Sequence, residues 1–146
     1  HFMWLDLGLI HVFPGRDPVA FQAAVRAAAA GAPALDPGKV RIAGIWPRGA
    51  GFAYDHVWQA AQQRVLWYLA GGVVGGRGAA LRAFESEVQA ELARLRRHER
   101  WMWEVNVWAL VLARRPELFS VYHGSHDSTI LTNYAQATCP PRVQTP

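Results

Sequence analysis

Two carboxylates in apolar surroundings are the strongest candidates for chemistry in this chain of 146 residues. Asp6 lies within the apolar run 2–10, and Glu104 lies among the tryptophans of the run 101–108. Because burying an unpaired carboxylate is costly, each of them needs a ligand or a partner. Asp6 at a strand end could hold a metal or a sugar hydroxyl, or it could cap the next turn. Glu104 could be a buried general base, or it could be the partner of an arginine.

A histidine cluster and a glycine cluster supply the remaining candidate groups. His123, His126 and Asp127 are all of metal-binding type, although solvated loop side chains would give the same pattern. The glycine-rich segment 71–78 matches neither a phosphate loop nor a dinucleotide fingerprint. Following a predicted strand at 65–70, it is either a flexible turn or bare backbone that a sugar can approach closely. The glycines considered for substrate binding are Gly71, Gly72, Gly75 and Gly76.

The elements that must position these groups follow the order β-α-β-α-β-α-α. The run 2–10 is apolar with hardly any alternation, which predicts a strand buried on both faces. Asp17 and Pro18 predict the start of a helix that reaches Ala30. The order predicts an α/β fold with a parallel or mixed sheet flanked by helices. The other predicted elements are strands at 40–46 and 65–70, a glycine-rich loop at 48–52, helices at 55–64, 81–97 and 101–114, and an apolar piece at 118–122.

The helix 81–97 has the clearest periodicity in the chain. Its apolar residues fall on one stripe, which predicts that this stripe faces the core while the glutamates remain exposed to solvent. The helix 101–114 is apolar on nearly all sides and is therefore expected to be buried. The stripe consists of Leu81, Phe84, Val88, Leu92 and Leu95.

Composition excludes several classes of protein. With 51% hydrophobic and 18% charged residues, the chain can form a packed core and is not disordered throughout. Its single cysteine, Cys139, excludes an intrachain disulfide and a cysteine-based zinc site. No transmembrane segment or signal peptide is visible, which predicts a cytoplasmic location. The net charge is +4, but the arginines are scattered, which argues against nucleic-acid binding.

Three sequence blocks resemble the HtrL/YibB-like family of bacterial glycosyltransferases. The segment 4–9, Trp-Leu-Asp-Leu-Gly-Leu, resembles that family's Trp-Ile-Asp-Phe-Gly-Ile strand. The segment 69–76 resembles its Gly-Gly-Phe-Phe-Gly-Gly block. The segment 103–109, followed by 118–119 and 122–126, resembles its helix and its Tyr-x-Gly-Asp-His ending. Order and spacing also agree, and the resemblance covers most of the chain.

The resemblance implies the C-terminal part of a GT-A-like transferase. Either the nucleotide-binding N-terminal half of such an enzyme is missing from this sequence, or the chain is a reduced relative that does not bind nucleotide. Residues 1–136 would form one α/β domain and 137–146 a disordered tail. Such an enzyme moves a sugar from a nucleotide-sugar to a saccharide acceptor in surface polysaccharide synthesis. The alternative is a non-catalytic carbohydrate- or partner-binding module derived from that fold.

The resemblance also implies a role for each site residue. Asp6 and His126 would bind Mn or Mg, and Glu104 would be the base for the acceptor hydroxyl. The glycines of the segment 71–76, together with Trp103 and Asn106, would line the acceptor side.

Overall fold

A four-stranded mixed sheet organises the part of the chain described by the computed structural model, residues 1–45 and 53–136. The strands are β1 (Phe2–Leu5), β2 (Val40–Gly44), β3 (Leu69–Gly76) and β4 (Phe119–His123). In the sheet order β1-β3-β2-β4, β2 and β4 are parallel and the other neighbours are antiparallel. The predicted α/β class with a mixed sheet is confirmed. The predicted loop 48–52, the tail 137–146 and Cys139 lie outside the described residues.

Helices cover both faces of the sheet. The first face packs against α1 (Pro18–Gly31), the short α5 (Thr129–Thr132) and a 3-10 segment at Leu7–Val12. The second face packs against α3 (Gly78–Arg97) and α4 (Glu104–Arg114), and α2 (Tyr54–Ala61) packs on α4. None of the described helices has the length and apolarity to cross a membrane. The smaller 3-10 turns are Pro14–Arg16, Ala32–Ala34 and Pro116–Leu118.

The first strand is shorter and more exposed than the sequence predicts. β1 ends at Leu5 and lies at the sheet edge, so the prediction of a strand over 2–10 buried on both faces is wrong. The reason is local: the Asp6 carboxylate accepts the backbone N–H of Gly8 at 2.7 Å, which starts the 3-10 segment. A side chain that bonds nearby backbone in this way competes with the sheet ladder.

The glycines of the segment 71–76 lie within the strand β3, so the flexible-turn alternative is wrong for them, and the strand predicted at 65–70 begins and ends too early. Bare backbone is needed there because other groups pack directly on it. A Cβ on Gly75 would lie 2.8 Å from Tyr134 Cζ, and one on Gly72 would lie 2.7 Å from Leu9 Cδ1. Tertiary packing therefore overrides the weak strand propensity of glycine.

The stripe of α3 faces the core as predicted, with Phe84 and Leu95 buried. The expectation that its glutamates remain exposed to solvent is wrong for Glu91, which is fully buried. The carboxylate of Glu91 accepts the hydroxyl of Tyr54 at 2.9 Å and lies 2.5 Å from Nη1 of Arg114. A buried charge is tolerated when it is paired and hydrogen-bonded in this way.

A buried arginine ties the last described residues to the sheet. Arg41 on β2 donates from Nε to the carbonyl of Tyr134 at 2.9 Å and from Nη1 to Oγ of Ser120 at 3.0 Å. It also donates to the carbonyl of Gln136, and its guanidinium lies 4.6 Å from the ring centre of Tyr122. Burial lowers the pKa of Arg41. Neutral acceptors and an aromatic face, rather than a carboxylate, thus stabilise this cation.

Phe84→Ala should destabilise the fold strongly, because the ring packs against Trp108 and Phe119 between α3 and the sheet. We expect a loss of about 3–5 kcal/mol in the free energy of unfolding, measured by urea denaturation. Phe2→Ala is the matched control, since that ring is mostly exposed, and it should change stability by less than about 0.5 kcal/mol. Equal losses in the two variants would contradict this packing.

Candidate functional site

A cavity of about 530 Å³ lies where β1 ends, β3 begins and α4 starts; we call it the site cavity. It brings together five residues that the sequence singled out: Asp6, Gly71, Gly72, Glu104 and His126. These come from four segments far apart in the chain, so only the fold makes them neighbours. The rest of the lining comprises Trp4, Leu9, His11, Val12, Trp67, Ala70, Val105, Trp108 and Ile130.

Asp6 is exposed at the end of β1 rather than buried in a strand. Its Oδ1 accepts the N–H of Gly8, which is the capping role that the sequence left open as an alternative. Its backbone N–H donates to the carbonyl of Gly72 at 3.0 Å and so positions the residue beside β3. Oδ2 has no hydrogen-bond partner among the described residues and remains available to a ligand.

Glu104 is the first residue of α4 and is exposed, so the expectation that it is buried is wrong. The helix begins at this residue, which leaves Trp101 outside the helix instead of on the same face. A carboxylate in the first helical turn interacts favourably with the positive end of the helix dipole. A Cβ on Gly71 would lie 3.6 Å from Glu104 Oε1. The carboxylate of Glu104 therefore lies at contact distance from the Gly71 position, in the lining of the same cavity.

The predicted histidine cluster is divided by the fold. His126 is exposed in the site cavity, and its ring meets that of Trp67 edge-on, with the ring centres 4.7 Å apart. Asp127 instead accepts the hydroxyl and the backbone N–H of Thr129, which lower the pKa of that carboxyl. His123 is exposed outside the cavity lining. The cluster contributes one imidazole to the cavity, and Asp127 organises the turn into α5.

Asn106, predicted to bind substrate, is fully buried, and its side-chain amide is hydrogen-bonded to backbone groups of the protein. Its Nδ2 donates to the carbonyls of Ala61 and Arg64 at 3.1 and 2.9 Å, and its Oδ1 accepts the N–H of Leu66 at 2.6 Å. The side chain thus fixes the connection between α2 and β3 against α4. It presents no polar atom to a ligand.

The other predicted substrate residues lie elsewhere. Gly75 and Gly76 are at the far end of β3, packed against Tyr134 and Leu81, and do not line the site cavity. Trp103 lines a second cavity of about 600 Å³, which also includes Glu104. We call this second space the lateral cavity.

The fold adds aromatic residues that the sequence did not single out for the site. Trp4 and Trp67 line the site cavity with 54% and 51% of their surfaces exposed, and the half-buried Trp108 of α4 also lines it. His11 is a further addition, with Nδ1 bonded to the carbonyl of Gly8. The high number of tryptophans was the available signal in the sequence. The sequence could not show which tryptophans line the cavity, because the exposure of Trp4 depends on β1 being an edge strand.

The residues present supply an incomplete set of metal ligands. Among the described residues, no group of three histidine, cysteine, aspartate or glutamate side chains is arranged to hold a metal ion. Asp6 Oδ2 and the His126 imidazole face the same cavity and offer two ligands. Divalent cations at sites of phosphate transfer commonly take one or two carboxylates from the protein and the rest from substrate phosphates. A cation bound by these two residues would need its remaining ligands from a bound phosphate.

Comparison of the chain with protein-family models, with curated proteins and with solved structures gives no match. The arrangement of the cavity is consequently the main guide to what the chain does.

Asn106→Ala should destabilise the protein far more than Glu104→Gln, although the two residues share the first turn of α4. Removing the amide leaves the N–H of Leu66 and two carbonyls buried without partners, at a cost of at least about 1–3 kcal/mol. Glu104→Gln removes only an interaction with the helix dipole, worth less than about 1 kcal/mol. Thermal and urea unfolding of the two variants measure the difference, and the reverse order would contradict the structure.

Proposed function

We propose that this chain transfers a sugar from a nucleotide-sugar donor to a saccharide acceptor bound in the site cavity, as the acceptor side of a GT-A-like transferase. The observation that carries the proposal is the convergence of Asp6, Glu104 and His126 beside the bare backbone of Gly71 and Gly72. The same residues lie in the three sequence blocks that resemble the HtrL/YibB-like family.

The lining of the site cavity suits a saccharide. The C–H face of a sugar ring is apolar and packs on an indole, and Trp4 and Trp67 offer half-exposed indoles. Sugar hydroxyls donate hydrogen bonds to carboxylates, which Asp6 Oδ2 and Glu104 provide. Gly71 and Gly72 belong to the same cavity lining. A few polar groups in an aromatic-lined space are typical of small-ligand sites.

Glu104 is the proposed general base. Its carboxylate takes the proton of the acceptor hydroxyl while that oxygen bonds to the anomeric carbon of the donor. The bond from that carbon to the diphosphate breaks at the same time, and the nucleoside diphosphate leaves with the bonding pair. Positioned proton transfer of this kind contributes about 10²–10⁴-fold to a rate.

Asp6 and His126 are the proposed ligands for Mn or Mg on the donor side of the cavity. When bound, the cation neutralises charge on the departing diphosphate. The chain's own residues set its place: the Gly8 N–H orients the carboxylate of Asp6, and the indole of Trp67 packs on the imidazole of His126.

A second candidate function is non-catalytic binding of a carbohydrate by the same cavity. One observation favours it: the half-exposed indoles of Trp4 and Trp67, which can stack on a sugar ring without any chemistry at Glu104. The two functions share the ligand class and differ in whether Glu104 does chemistry.

Glu104→Gln should lower sugar transfer by about 10²–10⁴-fold, because the amide keeps the shape of the side chain but cannot take a proton. Release of nucleoside diphosphate from a panel of nucleotide-sugars, with saccharide acceptors present, measures transfer. Acceptor affinity, measured by calorimetry, should change only a few-fold. Glu85→Gln is the matched control, since Glu85 is exposed on α3 away from the cavity.

The outcomes separate the two candidate functions. Saccharide binding without transfer by the unmodified protein would support the binding module and remove Glu104 from catalysis. Equal transfer by the Gln variant and the unmodified protein would also remove it.

Mn²⁺ together with a nucleoside diphosphate should raise the melting temperature, and Asp6→Asn should abolish that rise. A ligand that binds only the folded state stabilises it by about 2.7 kcal/mol at 100 times its Kd. The asparagine keeps an oxygen for the Gly8 N–H, so the turn is preserved while the anionic ligand is lost. Asp55→Asn, an exposed carboxylate on α2, is the control. A rise that persists in Asp6→Asn would exclude Asp6 as a metal ligand.

A further inference from the structure

We propose that the acceptor is an acidic oligosaccharide, whose chain continues from the site cavity past Glu104 into the lateral cavity. This inference rests on the proposed function and deepens it, since it names the length and the charge of the saccharide.

Glu104, in the first turn of α4, lines both cavities, and in sequence it lies between Trp103 of the lateral cavity and Val105 of the site cavity. The site cavity measures about 530 Å³ and the lateral cavity about 600 Å³. Each volume by itself lies in the range that holds one small ligand. A ligand that bridges both must therefore be an extended chain, with its reacting unit in the site cavity and further units beyond Glu104.

The lateral cavity carries the same stacking groups as the site cavity. Trp101 and Trp103 border it with 88% and 63% of their surfaces exposed. Neither indole stacks on another ring in the described part of the chain. Exposed aromatic surface rimmed by polar groups marks an interaction site. Opposite the indoles, the exposed amides of Gln62 and Gln63 can bond sugar hydroxyls.

Positive charge distinguishes this surface from the site cavity. Arg64 lines the lateral cavity, and Arg96 and Arg100 line a smaller adjoining space of about 210 Å³ that shares Trp101 with it. None of the three guanidinium groups forms an ion pair within residues 1–45 and 53–136. Guanidinium binds carboxylate or phosphate through two parallel hydrogen bonds. Unpaired arginines beside exposed indoles therefore fit a saccharide that carries uronate or phosphate groups.

The test follows the seven indole N–H signals of the full chain by NMR, each assigned through a single tryptophan substitution. Galacturonic acid should shift the signals of Trp4 and Trp67 alone. Tetragalacturonate should also shift Trp101 and Trp103 and bind more tightly. Its methyl ester, which has the same length without the charge, should bind more weakly and lose its dependence on salt. Mannopentaose and its phosphate form a second matched pair, which distinguishes phosphate from carboxylate as the recognised group.

The double variant Trp101→Ala and Trp103→Ala should weaken binding of the acidic oligomer by about tenfold, while the affinity for the monomer stays unchanged. Both indoles are exposed, so the fold should survive the change. Phe2→Ala, an exposed ring outside both cavities, is the control and should leave both affinities unchanged.

The failures of the two proposals are distinguishable. If the tetramer shifts only Trp4 and Trp67 and binds no better than the monomer, the extended site is overturned and the proposed function stands. If the acidic and neutral members of both pairs bind equally, the acidic character is overturned. If no saccharide shifts Trp4 or Trp67, the proposed function fails and the extended site fails with it.

Discussion

The glycines of β3 are the constraint on which the rest of the structure depends. This strand lies between β1 and β2 and has bare backbone at both ends. At one end, the absence of a Cβ on Gly75 lets the ring of Tyr134 pack directly on the sheet. Towards the other end, Gly71 and Gly72 line the site cavity, and a Cβ on Gly72 would lie 2.7 Å from Leu9 Cδ1. Both parts of the strand thus need the absence of side chains for close packing.

Arg41 stabilises the packing of Tyr134 on Gly75. Its hydrogen bonds to the carbonyls of Tyr134 and Gln136 hold the segment after α5 against β2, which keeps Tyr134 over Gly75. Burying a cation is unfavourable unless its donors are satisfied, and here two carbonyls, a serine hydroxyl and the face of Tyr122 satisfy them. The turn that carries His126 precedes this anchored segment, so the same contacts help to place that imidazole beside Trp67.

Two glutamates show how the fold assigns roles that residue type leaves open. Glu91 and Glu104 both lie in largely helical sequence near apolar residues and arginines. Glu91 faces α2 and α4, where Tyr54, Arg94 and Arg114 surround it, and it is an internal ion-pair partner. Glu104 stands at the start of α4, exposed between two cavities, without an ion pair among the described residues. A carboxylate that forms no ion pair with the protein's own residues is available to interact with a ligand.

The amino-acid sequence by itself determined the α/β class, the start of α1 at Asp17 and Pro18, and the core-facing stripe of α3. These features follow from local periodicity and capping, which act over a few residues. It also predicted Asp6, Gly71, Gly72, Glu104 and His126 as site residues, and all five line the site cavity. Only the tertiary structure decided that β1 is an edge strand, that the glycines form β3, and that Asn106 is consumed by the chain. It likewise decided that Trp4 and Trp67 complete the site. Those outcomes depend on contacts between residues distant in sequence, such as Tyr134 with Gly75, and no local pattern specifies which distant side chain will arrive.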